Sequence, residues 1–257
     1  MLTDWGTRDA TVASLKAALL QRLPHATLVD ICHHVPQHSQ REAAKLMSDY
    51  PAFFPPGTIH VAIVAPFVGK RPAMTLVTWN EQHYLAPDNG LLPAALPGEA
   101  LTDARLCYSA LRPHNLQDWL NATAEAIDRI ASHSANQYPG MSLQTIPPEI
   151  QIDHSGSVLE CRIIHADRYG NLTLNINTLQ LQQNLGNKFS IEIMRNNPIT
   201  SIHNHYTDVP VGAPLCRITR AGMLQLAVNH GSAAQLLGVD TTDASKLFYH
   251  TIRIAAT

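Results

Sequence analysis

Hydrophobic and polar positions along this chain fall into two regimes. Up to about residue 137, helix-period and strand-period stretches alternate. Ala10 to Leu23 puts Val12, Leu15, Leu19 and Leu23 on one helical face. After the break at Pro24, Thr27-Leu28-Val29-Asp30-Ile31-Cys32 reads as a short β-run. Ser39 to Tyr50 predicts a helix, with Ser39 as N-cap and Glu42 at capping-box distance. Pro51, Pro55, Pro56 and Gly57 end it. Thr58 to Val64 is nearly unbroken in β-branched and apolar residues, the mark of a strand buried on both faces. Met74 to Trp79 and His83 to Ala86 predict two more strands around Asn80-Glu81. Asn115 to Ser132 predicts a longer helix carrying Leu116, Leu120, Ile127 and Ile130. Such alternation predicts an α/β layered domain over residues 1–137.

Tyr138-Pro139-Gly140 and Pro147-Pro148 punctuate a polar stretch without helical pattern, which marks 138–150 as a linker. Residues 151–257 then read mostly as strands: Ser157 to Ile164, Leu172 to Ile176, Lys188 to Met194, Leu215 to Thr219, Met223 to Val228 and Leu247 to Ile254. Only Ser232 to Leu237 reads as a short helix. The second domain is therefore expected to be small and mainly β.

Composition narrows the function classes. Of 257 residues, 45% are hydrophobic and 15% charged, with a net charge of −2, so no basic field exists to hold a phosphate backbone. Nucleic acid is not an expected partner. No apolar run reaches membrane-spanning length, and no basic-then-apolar signal segment opens the chain. The four cysteines, Cys32, Cys107, Cys161 and Cys216, are widely spaced. Cys32 and Cys161 lie in apolar runs, as small buried hydrophobes would, and a reducing cytoplasm follows. Fourteen histidines are many for this length. His33-His34 with His38, and His203-Asn204-His205, can be read as metal ligands, but neither group has a carboxylate or cysteine at a known ligand spacing. Surface or pocket-lining histidine is the default, and neither metal nor cofactor is expected.

Candidate chemistry concentrates in two segments. Asp167-Arg168-Tyr169-Gly170-Asn171, running on to Thr173 and Asn175, follows the apolar run Val158 to Ile164. It can present a carboxylate, a flat ring, close-approaching backbone and an amide to one small polar ligand. The same residues also serve a plain strand-ending turn. Leu2-Thr3-Asp4-Trp5-Gly6 is followed by Asp9 and a helix from about Thr11. A carboxylate on a glycine turn before a helix suits a ribose diol, and equally a simple strand-to-helix connection.

With Val29 to Pro36, Phe53 to His60, Ala86 to Leu92 and Gly222 to Ala234 between and after them, these segments resemble, in order and spacing, the S-adenosyl-L-methionine hydroxide adenosyltransferases and their fluorinase and chlorinase relatives. The resemblance runs from Leu2 to about Val239. It implies an N-terminal α/β/α domain joined to a small C-terminal β-barrel-like domain. It also implies a homotrimer whose ligand lies between the N-domain of one subunit and the C-domain of its neighbour. The implied reaction is attack of water or halide on ribose C5′ of S-adenosyl-L-methionine, releasing methionine. Asp4 matches the aspartate that holds the ribose hydroxyls, and Asp9 an acidic position near the methionine end. Asp167 matches the aspartate that meets the methionine ammonium, Asn171 the asparagine that reads the adenine edge, and Tyr169 the aromatic beside the adenine. His38 sits where an adenine-stacking aromatic is usual. Arg220 falls where a serine would meet the methionine carboxylate.

The chain departs from the family pattern where water is handled. The hydrolytic branch resembles Val-Asp-Pro-Gly-Val-Gly followed by an arginine. Here the run is Val64-Ala65-Pro66-Phe67-Val68-Gly69-Lys70-Arg71, with Ala65 in place of the aspartate and Arg71 one residue early. An alanine can neither accept a proton nor orient water. Leu111 to Asp118 keeps His114 from the later family segment. The halogenase branch carries a tyrosine and a threonine near the halide, and Ala65 and Val68 supply neither hydroxyl. Two readings follow. One is a slow hydrolase in which Arg71 and His114 are the catalytic residues. The other is a catalytically degenerate protein that binds and senses S-adenosyl-L-methionine or adenosine.

Overall fold

The computed structural model describes residues 1–67, 73–109, 116–146, 151–152, 156–186, 188–193, 198–242, 244–247 and 249–257. The chain divides into two units, Met1–Ile146 and Pro147–Thr257, and the division falls inside the 138–150 stretch.

In the first unit, β1 (Leu2–Thr3), α1 (Thr11–Arg22), α2 (Gln40–Asp49), β2 (Ile59–Ile63), β3 (Ala73–Trp79), β4 (Gln82–Pro87), α3 (Leu91–Ala95), β5 (Arg105–Ser109) and α4 (Leu116–Ala131) follow in order. Among the described residues the sheet orders as β1-β2-β4-β3-β5. β1, β2 and β4 run parallel, and β3 runs antiparallel to β4 and β5. β2 shows why its sequence lacks alternation. Val61 and Ile63 join Leu15 and Leu19 of α1 and Trp119 and Leu120 of α4 on one face, while Ala62 packs with Ala43 and Met47 of α2 on the other. A central strand covered on both faces has no polar side to show. The result is the α/β/α layering that the resemblance implies.

Local chemistry fixes the connections. Ser39 accepts a hydrogen bond from Glu42 N, capping α2 as read from sequence. Asn80 and Glu81 join β3 to β4 with both residues at positive φ, 48° and 59°, as a tight two-residue hairpin requires.

The second unit contains β6 (Gln151–Ile152), β7 (Val158–Ala166), β8 (Leu172–Asn177), α5 (Thr178–Leu185), β9 (Phe189–Ile191), β10 (Ile202–His203), β11 (Pro214–Ile218), β12 (Met223–Val228), α6 (Ala233–Leu237), α7 (Ala244–Leu247) and β13 (Thr251–Ala256). Its strands order as β10-β11-β12-β8-β7-β13-β9, with β6 on β7, in a curled, half-barrel sheet that is antiparallel except for β10 on β11. Leu172, Leu174 and Ile176 of β8 alternate into a core shared with Leu159, Cys161 and Ile163 of β7.

Four points depart from what the sequence predicts. Thr27 to Cys32 is not a strand. It contributes an isolated bridge from Cys32 to Leu2, because β1 beside it is only two residues long. β5 was not foreseen. Ser232 to Leu237 is not the one helix of the second unit: α5 begins at a capping box in which Asn177 and Gln180 bond each other's backbone N–H. Leu247 closes α7, and the last strand starts only at Thr251.

Candidate functional site

In the first unit the site is built around Asp4, at the end of β1. One of its oxygens, Oδ2, accepts two backbone hydrogen bonds, from His38 at 3.0 Å and from Ala65 at 3.1 Å. Both donors have positive φ, 61° for His38 and 46° for Ala65. Non-glycine residues enter this region against steric resistance, so the chain is bent at two places to aim two amides at one oxygen. Among the described residues nothing donates to Asp4 Oδ1. A half-buried carboxylate with one oxygen fixed and the other open can grip a vicinal diol.

The flanking histidines are support. His33 is buried and its Nδ1 lies 2.9 Å from Thr3 Oγ1. Its Nε2 is 3.0 Å from Asp30 Oδ1. Asp30 is ion-paired to Lys16 of α1, and the Lys16 and His33 contacts hold its carboxyl below the usual range against the opposing effect of its own burial. The His38 imidazole is exposed. Among the described residues no group of three His, Cys, Asp or Glu side chains is placed to hold a metal ion.

Asp9 is exposed and accepts from the backbone N–H of Thr11, the first residue of α1, at 2.9 Å, which keeps its carboxyl below the usual range. Phe67 packs edge-on against the buried Trp119 at 5.9 Å between ring centres. Arg71 and His114 lie outside the described residues.

In the second unit, Asp167 organises the turn between β7 and β8. Its Oδ1 accepts from Tyr169 N and Asn171 N, both at 2.9 Å, and its Oδ2 accepts from Asn171 Nδ2 at 2.8 Å. Gly170 sits at φ 78°, where a Cβ would come within 2.0 Å of Ser232 Oγ, and its carbonyl accepts from Ala234 N. Only glycine allows the β7–β8 turn to approach the start of α6 this closely. Tyr169 is 77% exposed while Asn171 is buried at 4%. The turn thus offers a free ring beside a fixed amide.

Sequence reasoning missed what surrounds Asn171. Tyr206 Oη accepts from Asn171 Nδ2 at 3.4 Å, and the Arg217 guanidinium lies 4.6 Å from the centre of the Tyr206 ring. Thr173 Oγ1, Asn175 Nδ2 and Arg217 Nε are buried with no hydrogen-bond partner among the described residues. Thr173 and Asn175 belong to the segment that the sequence singles out, whereas nothing local marks Arg217. Arg220 is exposed in the tight β11–β12 turn closed by Gly222 N to Thr219 O.

Comparison with known proteins adds independent findings. Residues 1–146 match the SAM hydroxide adenosyltransferase N-terminal domain, and residues 161–246 match the corresponding C-terminal domain. The chain is 30% identical to an (R)-S-adenosyl-L-methionine hydrolase of Thermus thermophilus over 93% of this chain and 94% of that one. It is 24% identical to a fluorinase of Nocardia brasiliensis, covering 91% and 90% of the two chains. The fold matches a solved structure of an uncharacterized conserved protein from Thermotoga maritima, with TM-score 0.71 and 22% identity over 99% and 98% of the two chains.

Proposed function

The chain belongs to the SAM hydroxide adenosyltransferase family, and from that premise we propose that it hydrolyses S-adenosyl-L-methionine to adenosine and L-methionine. The observation that carries this reading is the Asp4 carboxylate, clamped through one oxygen by the His38 and Ala65 amides and left open at the other. The relatives named as hydrolases, among them that of Thermus thermophilus, favour water over halide as the nucleophile.

In this reading a water oxygen forms a bond to ribose C5′ as the C5′–S bond breaks, and the sulfur leaves as the neutral thioether of methionine. A sulfonium departs readily, so the protein's work is to align the two reacting atoms and strip water from the nucleophile. Asp4 holds the ribose diol. Asn171 keeps its Oδ1 for the adenine amino group, Tyr169 covers the base, and Asp167 and Arg220 meet the methionine ammonium and carboxylate. His114 takes the proton from the attacking water and Arg71 orients that water. With Ala65 supplying no carboxylate, turnover is slow. No cofactor enters the reaction.

The working form is a cytoplasmic homotrimer. Four free thiols agree with a reducing compartment. Asp4 belongs to the first unit, and Asp167, Tyr169 and Asn171 belong to the second. Light scattering should give a mass of three 28.2 kDa chains.

Incubating the pure protein with S-adenosyl-L-methionine and following adenosine and methionine by liquid chromatography tests the activity. Equimolar release of both supports hydrolysis. Ligand binding by calorimetry with no release over hours would support the sensing reading instead, for which the missing carboxylate at Ala65 is the specific observation.

A further inference from the structure

Asn89 follows β4 and is buried, with every polar atom of its amide engaged. Its Nδ2 donates to Val64 O at 2.8 Å and to Ala65 O at 3.1 Å, and its Oδ1 accepts from Leu91 N at 3.3 Å. One side chain thereby ties the end of β2 to the first turn of α3. Its own neighbours hold it from both sides. Asp88 Oδ1 accepts from Gln144 N at 2.8 Å, and Gly90, at φ 88°, lies so close to the 145–146 backbone that a Cβ would stand 2.7 Å from Ile146 N.

What Asn89 grips is the least comfortable backbone of the site. Ala65 is held at φ 46° and is nearly fully buried. Asparagine or aspartate at such a position can hydrogen-bond nearby backbone and hold itself there, but alanine has no group to do so. The restraint must come from elsewhere, and the Asn89 amide bonds the two carbonyls flanking the bend. The product of that restraint is the Ala65 N–H aimed at Asp4 Oδ2.

We propose that Asn89 is a positioning residue for the Asp4 carboxylate: it latches residues 64 and 65 in the left-handed bend, so that the Ala65 amide fixes Asp4 in its ligand-gripping orientation. This inference rests on the proposed function, in which Asp4 holds the ribose. Asn89 acts through Asp4 and touches no substrate.

The test is a double-mutant cycle with a rescue. Calorimetry with adenosine and steady-state hydrolysis of S-adenosyl-L-methionine would be measured for wild type, Asn89→Asp, Asp4→Asn, the double variant, and Asn89→Asp combined with Ala65→Gly. Asn89→Asp keeps the shape but sets a carboxylate against the Val64 and Ala65 carbonyls. Affinity should fall about tenfold in each single variant, and no further in the double, because both changes remove one function. Glycine adopts the left-handed bend freely, so Ala65→Gly should return Asn89→Asp to within about threefold of wild type. Residues that merely share a fold would give a double loss of about a hundredfold and no rescue, and either outcome overturns the role of Asn89. If Asn89→Asp does not fold, Asn89→Ser, which keeps one donor, gives the same comparison. Wild type that binds neither ligand overturns the functional reading and this inference together. Wild type that binds while the losses multiply overturns this inference alone.

Discussion

Asn171 donates its side-chain N–H to Asp167 Oδ2 at 2.8 Å and its backbone N–H to Asp167 Oδ1 at 2.9 Å. Two residues that the proposed function places at opposite ends of one ligand are therefore each other's main partners. The carboxylate spends three acceptor positions on its own turn, and in doing so turns Asn171 so that Oδ1 accepts nothing among the described residues. In that reading, binding of the base and of the methionine end is coupled through a single turn before any ligand arrives.

Asp167→Asn would set one amide nitrogen against another at this contact. A loss of about 1–3 kcal/mol in stability is expected, since a charge-assisted hydrogen bond is replaced by two opposed donors. Adenosine affinity should fall about tenfold as well, because Asn171 loses its orientation. Adenosine carries no ammonium. A carboxylate needed only to meet the methionine ammonium would leave adenosine binding unchanged, and calorimetry separates the two cases.

Gly170→Ala should be among the most damaging single-methyl additions in the chain. The new Cβ meets Ser232 Oγ at 2.0 Å and Ser232 Cβ at 3.0 Å, and the residue stays at φ 78°. Overpacking together with the left-handed backbone is worth roughly 2–4 kcal/mol. A urea melt should show that loss, with Ser232→Gly in the same chain restoring part of it. A wild-type midpoint would mean that the β7–β8 turn and the start of α6 are free to separate.

The layers were legible in sequence because burial writes a period. α1, α2, α4 and the doubly covered β2 all stand where their apolar spacing places them. α5 was not legible: Thr178 to Leu185 buries only Leu181 and Leu185 and is otherwise largely polar, so its signal was the Asn177–Gln180 capping box. The site divides in the same way. Asp4, Asp167 and Asn171 are side chains that a motif can display. The clamp on Asp4 consists of backbone amides of His38 and Ala65, and an amide is identical in every residue type. An alanine at positive φ is what residue preference argues against, and Asn89, which sustains it, lies 24 positions away from Ala65.

His60 gives the fold a dependence on pH. Its ring sits 5.0 Å from Tyr84, 5.2 Å from Tyr50 and 5.6 Å from Phe54, centre to centre. Burial pushes its pKa from 6.5 down to about 4, against a weaker upward pull from the Gln82 contact. The unfolded chain therefore takes up this proton first. Stability from this group is complete above about pH 6.5, falls as pH drops toward about 4, and changes no further below that. His60→Phe keeps a ring in the cluster, and Tyr84 still donates to Gln82 Oε1. Melting temperatures at pH 6.5 and pH 4 should fall further in wild type than in the variant. Equal falls would show that the imidazole is hydrated and titrates as in the unfolded chain.

Ala65→Asp tests the chemistry most directly. Aspartate accepts a φ of 46° more readily than alanine does, so the bend that presents the amide to Asp4 should hold, while a carboxylate at this buried position costs stability. The new carboxylate would stand next to Asp4 with the same charge. Repulsion between the two is an argument for a modest rise in KM. Against that, a positioned group that accepts a proton from water contributes about a hundredfold or more to a rate. Adenosine release should therefore rise by about that factor in kcat, with a lowered melting temperature. An unchanged kcat in a folded, ligand-binding variant would locate the water elsewhere. The alanine would then be a substitution the site has already reorganised around, with His114 and Arg71 the next residues to vary.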